Sequence, residues 1–304
     1  MTQSNTMELS RHAETQKTIP ATPEALLKAV LEANQASDPR TREILDSLIR
    51  HLHAFAQDVR LSYDELHKGL DFMVEVGQAT NPLRHEGILL ADILGVATLV
   101  LLMDAKAVLA AGGTEPALIG PFWRANQPVL ENGASICSAD TQGLPLLVSG
   151  KVVSLDGSPI QGASIEVWQA APSGLYENQD PEQEDMNLRG IFLSDADGRF
   201  WFESVKPSGY GVPIDGPCGK LLAVQQRDHM RPAHVHFIAS APGHKVLTTQ
   251  IFDAHDPYAY TDAAFGAVGS LLREFEASAD GTYRLEVELK LEPGFTPMPK
   301  PPLS

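Results

Sequence analysis

Cysteine is nearly absent from this chain, with only Cys137 and Cys218 in 304 residues. Two thiols cannot build a four-sulfur zinc cluster or a disulfide framework, so neither organises the fold. Basic residues are also scarce, 23 Lys and Arg against 39 Asp and Glu, for a formal net charge of −16. That imbalance repels phosphate backbones and anionic headgroups, and argues against nucleic acid and membrane surfaces as partners. No apolar run is long enough to span a bilayer. The longest, Ile88 to Met103, is interrupted by Asp92. The stretch Met1 to Pro20 is polar and lacks the apolar segment of a secretory signal. These absences together lead to the expectation of a cytoplasmic protein. There is no internal repeat and no low-complexity segment.

Apolar residues are well represented, 43% of the chain, which is enough to bury a real core. The length fits one large domain or two ordinary ones. The first third carries helical spacing. Ile44, Leu45, Leu48, Ile49, Leu52, Phe55, Ala56 and Val59 recur as one stripe of a 3.6-residue period. Asp38-Pro39 supplies its start signal, and Thr22-Pro23-Glu24 opens an earlier helix with proline in the first turn. Ser62 and Glu65 have the spacing of a capping box ahead of Leu66, Leu70 and Met73. A fourth helix is expected from Glu86 to about Leu109. It is apolar around most of its circumference and therefore expected to be buried.

After Ala110-Ala111-Gly112-Gly113 the texture changes. Leu146 to Val153, Ala163 to Trp168, Phe200 to Phe202, Ala233 to Ile238 and Tyr283 to Leu291 read as strands. Asp156-Gly157 and Asp197-Gly198 sit between such segments as hairpin turns do. The expected fold is mixed, with helices over residues 1–113 and an all-β sandwich with long loops over 114–304. The proline-rich tail from Pro293 is expected to lie across the surface.

Arg231-Pro232-Ala233-His234-Val235-His236-Phe237 is the most informative stretch. On a strand, residues two apart project from the same face, so His234 and His236 would offer two adjacent imidazoles to a metal. A lone pair of this kind is more often a polar face than a metal site. A zinc hydrolase would need a third nitrogen or carboxylate ligand, and the candidates His229 and His244 have no motif support. Tyr176 follows Pro172-Ser173-Gly174-Leu175, and Tyr210 lies between Pro207-Ser208-Gly209 and Gly211-Val212-Pro213. Both are loop tyrosines whose neighbours hold fixed turns. A loop tyrosine taken alone usually just packs, and geometry does not select these two over Tyr63, Tyr258, Tyr260 or Tyr283.

Several blocks, in order, resemble the intradiol ring-cleavage dioxygenases, the family of catechol, chlorocatechol and hydroxyquinol 1,2-dioxygenases. They are Leu118 to Phe122, Gly162 to Ala170, Gly174-Leu175-Tyr176, Asn187 to Gly190 with Asp195 to Gly198, Arg231 to Phe237, Ser240 to Gly243 and Thr248-Thr249-Gln250. The resemblance runs from about Leu89 to Leu272. It implies a catalytic β-sandwich with Fe(III) held by Tyr176, Tyr210, His234 and His236. Phenolate is a hard anionic donor suited to ferric iron, and a bound cation lowers a tyrosine pKa from near 10 far enough for phenolate to persist at neutral pH.

The resemblance also implies the reaction, which is oxygen-dependent opening of a catechol-type ring. Tyr210 would leave the metal to take a substrate proton. Arg231 would stabilise negative charge developing at the activated ring carbon, and Gln250 would be the polar partner of the peroxide or hydroxide. Substrate-pocket positions fall on Leu89, Asp92, Leu118, Pro121, Phe122, Phe265 and Gly266. Leu89 and Asp92 share a helix face. The carboxylate of Asp92 needs a partner there, either a structural network or an extra substrate hydroxyl. Val212 to Pro217 resembles the hydroxyquinol and chlorocatechol branches more than the plain catechol branch. Asp256-Pro257-Tyr258 and Asp262 to Gly266 resemble the hydroxyquinol branch, although Tyr260 and Gly266 to Gly269 depart from it. The expected substrate is therefore benzene-1,2,4-triol, giving 3-hydroxy-cis,cis-muconate and maleylacetate. Catechol or a chlorocatechol is the alternative, and a non-catalytic β-sandwich binding module is the reading from another class. The resemblance implies a homodimer through the N-terminal helices and allows a lipid bound between subunits.

Overall fold

The helix-start chemistry of the first third is realised atom by atom in the computed structural model, which describes residues 19–81 and 84–301. Most of the polar stretch Met1 to Pro20, and the last three residues of the tail, lie outside the described residues. Helix α1 spans Pro23–Ala33, and the hydroxyl of Thr22 accepts the Ala25 N–H at 3.2 Å. Helix α2 spans Pro39–Asp58, and the Asp38 carboxylate accepts both the N–H and the hydroxyl of Thr41. Helix α3 spans Tyr63–Ala79. The Ser62 N–H donates to Glu65 at 2.8 Å and the Glu65 N–H donates back to Ser62 Oγ at 3.3 Å, closing the capping box.

By contact the chain divides into Met1–Asp71 and Phe72–Ser304, so the division falls inside α3. In the first unit Asn34, at the end of α1, donates to Asp46 of α2 at 2.7 Å. The apolar stripe of α2 faces outward, with Leu48 52% and Leu52 56% exposed.

The single helix expected from Glu86 to Leu109 is two helices. Helix α4 spans Glu86–Ile93 and α5 spans Val96–Ala110, with a bend of 68° between them. Gly95 lies at the bend with φ +71°, a left-handed conformation that costs glycine nothing and most other residues dearly. The expected burial also fails for much of α5, where Leu99 and Met103 are exposed. Among the described residues no single helix is long and apolar enough to cross a membrane.

The strands form two layers. One sheet runs β10 (Glu276–Ala277), β11 (Tyr283–Leu291), β1 (Pro145–Ser154) and β4 (Arg199–Val205). The other runs β3 (Arg189–Leu193), β2 (Ser164–Gln169), β7 (His234–Ser240), β8 (Leu247–Asp253) and β9 (Leu272–Arg273). Between them Val148, Phe200, Phe202 and Leu289 of the first meet Ile165, Val167, Val235 and Phe237 of the second. Apolar burial of this kind stabilises by ~25 cal/mol per Å² and is the main force joining the layers. Strand alternation holds in β4, where Trp201 turns to solvent between buried Phe200 and Phe202.

The Asp197-Gly198 turn does not close a hairpin. It joins β3 to β4, which belong to opposite sheets, because β3 pairs with β2 while β4 pairs with β1. Asp156-Gly157 does reverse the chain, with an antiparallel bridge from Val153 to Pro159. A two-stranded ribbon, β5 (Tyr210–Gly211) with β6 (Met230–Arg231), and a short helix α6 (Pro217–Val224) stand apart from the two sheets. The tail is pinned: Thr296 accepts the Val246 N–H and the Gly294 N–H donates to Gly243.

Candidate metal centre and its cavity

Strand β7 lies between β2 and β8, and its residues from His234 to Ala239 are buried. Val235 and Phe237 enter the sandwich core, which leaves His234 and His236 on the opposite face. The two Nε2 atoms are 3.1 Å apart. The Nδ1 of His234 donates to the Pro232 carbonyl at 2.7 Å, so its Nε2 presents a lone pair inward. His236 pairs across the strands with Trp168 and stacks on its ring, 4.5 Å between centroids and 10° between planes.

Both loop tyrosines reach this face. Tyr176 Oη is 2.9 Å from His236 Nε2 and 3.5 Å from His234 Nε2, and Tyr210 Oη is 3.4 Å from Tyr176 Oη. Donors about 2.0–2.2 Å from a shared ion stand roughly 3 Å from each other, so this spacing fits four ligands of one metal. The donor set is two oxygens and two nitrogens, with no sulfur.

Backbone turns hold both tyrosines. The Gly174 N–H donates to Ala171 and the Ala171 N–H to Leu175, with Gly174 at φ +83°. The Tyr176 N–H then donates to Gln179 at 3.0 Å. Next to it Glu177 is buried against Arg189 at 2.6 Å and accepts from Arg124 at 2.6 Å, which anchors the turn from below. Sequence reasoning missed Glu177, and only its place directly after Tyr176 marks it. Tyr210 is carried by the β5–β6 ribbon, where it pairs with Arg231. That pairing brings a ligand candidate and a cation into register across 21 residues of chain.

Burial decides the protonation of these groups. Desolvation pulls His234 down to about 3, helped by the Arg231 charge, and pulls His236 well below its usual value. Both imidazoles are therefore neutral, the form that donates to a metal. Desolvation raises Tyr176 well above 10, with the neighbouring Tyr210 adding to it. Only a cation at the shared focus would reverse that and hold a phenolate there.

Arg231 is buried beside the ligand candidates. Its Nε and Nη2 donate to the two oxygens of Asp262 at 3.0 and 3.2 Å, and Nη2 also donates to Gln250 at 3.1 Å. Burial disfavours its charge, but the Asp262 carboxylate outweighs that and raises its pKa. Gln250 in turn donates to the Leu118 carbonyl. Asp262 accepts three backbone N–H groups as well, from Ala264, Gly266 and Ala267, at 2.9–3.0 Å. A carboxylate with this many donors holds a loop and a guanidinium in one geometry. Sequence reasoning named its motif but not its role. The signal was a polar residue ahead of Ala-Ala-Phe-Gly, where a turn must find acceptors for its amides.

A cavity of about 200 Å³ opens on this cluster. It is smaller than the ~300 Å³ at which drug-sized pockets begin, and suits a single ring. Of the expected pocket positions, Leu89, Asp92, Pro121 and Phe122 line it, together with Tyr210 and Arg231. Leu118, Phe265 and Gly266 do not. Phe265 has φ +54° and turns its ring outward beneath Arg227, leaving Ala264 as the wall. Leu118 and Gly266 face a separate small crevice. Gly266 still matters, because a Cβ there would fall 2.8 Å from Arg231 Nη2.

The Asp92 carboxylate makes no direct hydrogen bond or ion pair with a protein group among the described residues; Arg231 and Asp262 act on it only through their charge. Burial lifts its pKa to about 6; Arg231 opposes this and Asp262 adds to it.

The zinc alternative finds no third ligand. His229 lies beside Asp228 and against Gly211, and His244 is bonded to Ser154 and Pro242. Among the described residues no three His, Cys, Asp or Glu side chains gather as a metal site.

Known proteins agree with this picture. Residues 118–293 match the family described as Dioxygenase, and residues 38–112 match Catechol dioxygenase N terminus. A hydroxyquinol 1,2-dioxygenase of Rhizobium sp. (strain MTP-10005) is 42% identical over 252 residues, covering 83% of this chain and 84% of that protein. A 6-chlorohydroxyquinol 1,2-dioxygenase of Cupriavidus pinatubonensis is 40% identical over 270 residues, covering 88% and 96%. The crystal structure of hydroxyquinol 1,2-dioxygenase from Pseudomonas putida DLL-E4 superimposes with a TM-score of 0.82 at 35% identity, covering 90% and 99%.

The buried carboxylate yields a stability test. A folded-state pKa raised from 3.8 to about 6 means the fold disfavours the charged form. The cost is absent below the unfolded value, grows as pH rises between the two, and is full above about 6. Asp92→Asn in iron-free protein is expected to gain up to on the order of 3 kcal/mol at pH 7.5, and little at pH 4. Urea unfolding at both pH values measures it. Equal gains at both would show that Asp92 is not held at a cost.

Proposed function

This chain belongs to the intradiol ring-cleavage dioxygenase family, on its hydroxyquinol branch, and we propose that it opens benzene-1,2,4-triol with iron(III) held by Tyr176, Tyr210, His234 and His236. One observation carries the reading. Four hard or borderline donors converge about 3 Å apart on a ring-sized cavity that also holds a fixed guanidinium and an unpartnered carboxylate. Two phenolates favour the ferric state and separate the site from the two-histidine, one-carboxylate Fe(II) oxygenases. When bound, the ferric ion supplies Lewis acidity toward a catechol-type dianion and accepts electron density from its ring.

The protein groups divide the remaining work. Tyr176 is fully buried and held by the turn below it, whereas Tyr210 lines the cavity. Tyr210 is therefore the phenol that exchanges a proton with an entering hydroxyl. Arg231 stays charged and oriented by Asp262 and Gln250, so its guanidinium faces negative charge as it grows on the ring. Asp92 accepts a hydrogen bond from the third hydroxyl, the interaction that catechol cannot make. With O2 as co-substrate, both of whose atoms enter the opened ring, the product is 3-hydroxy-cis,cis-muconate, which tautomerises to maleylacetate. Residues 114–304 together with α4, which carries Leu89 and Asp92 to the cavity, form the catalytic part, and the helices before α4 form the assembly part. The outward apolar stripe of α2 supports a homodimer through those helices.

Ferric protein is expected to absorb visible light through phenolate charge transfer. Tyr210→Phe should shift that band and slow turnover by about 10²-fold; an unchanged band removes Tyr210 from the metal. In steady-state comparison of hydroxyquinol, catechol and 4-chlorocatechol, hydroxyquinol should have the highest kcat/KM. Asp92→Asn should lower that value at least about tenfold while catechol changes little, and a wild-type preference for catechol would sink the assignment. The wild-type protein should sediment as a dimer at micromolar concentration. Leu48→Lys with Leu52→Lys should give a folded monomer, and a monomeric wild type refutes the assembly.

A further inference from the structure

Arg227 stands outside the cavity, between α6 and β6, yet it is bonded to two of the cavity's walls. Its Nη1 donates to the Ile93 carbonyl at 2.5 Å and its Nη2 to the Ala263 carbonyl at 2.8 Å. Ile93 is the last residue of α4, the helix that carries Leu89 and Asp92. Its carbonyl is among those a helix end leaves without an internal partner. Ala263 lies between Asp262, which grips Arg231, and Ala264, which lines the cavity.

Two further contacts close the same joint. The guanidinium sits 4.4 Å from the centre of the Phe265 ring, and that ring covers Gly95 at the bend between α4 and α5. Thr98, in the first turn of α5, donates to the Ala264 carbonyl at 3.3 Å. The outward turn of Phe265 is thus explained: the ring packs against the joint instead of the cavity.

We propose that Arg227 is a positioning residue for substrate discrimination, clamping the Asp92 helix to the 262–267 loop and so setting where Asp92 stands relative to Arg231. The inference rests on the reading that Asp92 receives the third hydroxyl. Two carbonyls from different elements need two donors held in a fixed fork, which a guanidinium supplies and an ammonium does not. A displacement of about 1 Å at a positioned group costs up to ~10²-fold in rate. Loss of the clamp therefore acts on the hydroxyl read by Asp92 and leaves the ligand cluster on β7 in place.

The test uses Arg227→Met and Arg227→Lys in the full-length iron-loaded enzyme, with Asp92→Asn as the reference. For Arg227→Met the ratio of kcat/KM for hydroxyquinol over catechol is expected to fall at least fivefold, through KM for hydroxyquinol. Arg227→Lys should be intermediate, and the resting visible band should not move. In iron-free Arg227→Met, amide hydrogen exchange should rise together in segments 89–99 and 262–267. Equal losses for both substrates, an unchanged ratio, or faster exchange in only one segment overturns the clamp. If Asp92→Asn lowers the ratio and Arg227→Met does not, only the clamp fails. If Asp92→Asn leaves the ratio unchanged, the reading of Asp92 fails and takes the clamp with it. Should Arg227→Met not fold, Thr98→Val removes one hydroxyl from the same joint and should lower the ratio in the same direction. An unchanged ratio there refutes the proposal.

Discussion

A strand buried on both faces takes two imidazoles out of water, and the site is built around that desolvation. The outer face of β7 carries His234 and His236 in a place where water does not reach. Burial keeps both rings neutral, and a neutral imidazole must be oriented by its surroundings. The Pro232 carbonyl fixes one ring and the Trp168 face fixes the other. Tyr176 then brings its oxygen to the two inward nitrogens, and Tyr210 brings a second oxygen beside that of Tyr176. Two oxygens and two nitrogens gather there with neighbouring spacings of 2.9 to 3.5 Å, which fits a shared cation.

Arg231 poses the opposite problem, a charge that must remain charged in the same dry region. Asp262 meets it with both oxygens, and the loop that follows bends its amides onto that carboxylate. The glycine at 266 keeps the backbone close to the guanidinium where any Cβ would intrude. Asp92 receives no such support. A protein selected for stability alone would neutralise it or pair it. Its place on a cavity wall, with burial raising its pKa, is a cost the fold carries at that position.

Much of the architecture was legible in the residues. Helix starts at Thr22, Asp38 and Ser62 depend on the nearest few amides, so local chemistry sufficed. The alternation of β4 and β11 reported which face each residue would bury. Where the reading failed, a distant contact had intervened. The helix through Leu94-Gly95 is broken at a left-handed glycine, and the Phe265 ring, 170 residues away in sequence, packs beside it. Asp197-Gly198 has the chemistry of a hairpin turn, but the strands it joins find better partners in different layers.

The candidate site divides in the same way. The sequence by itself determined the histidine pair, because a period of two is a property of one strand. It also carried, through family blocks, the identity of Tyr176, Tyr210, Arg231 and Gln250. Tertiary structure alone decided that Ala264 and not Phe265 forms the wall, that Asp262 grips Arg231, and that Asp92 is left unpaired. Each of these depends on which groups meet across more than thirty residues of chain or on a φ angle that a loop adopts under packing, and neither is encoded in local spacing.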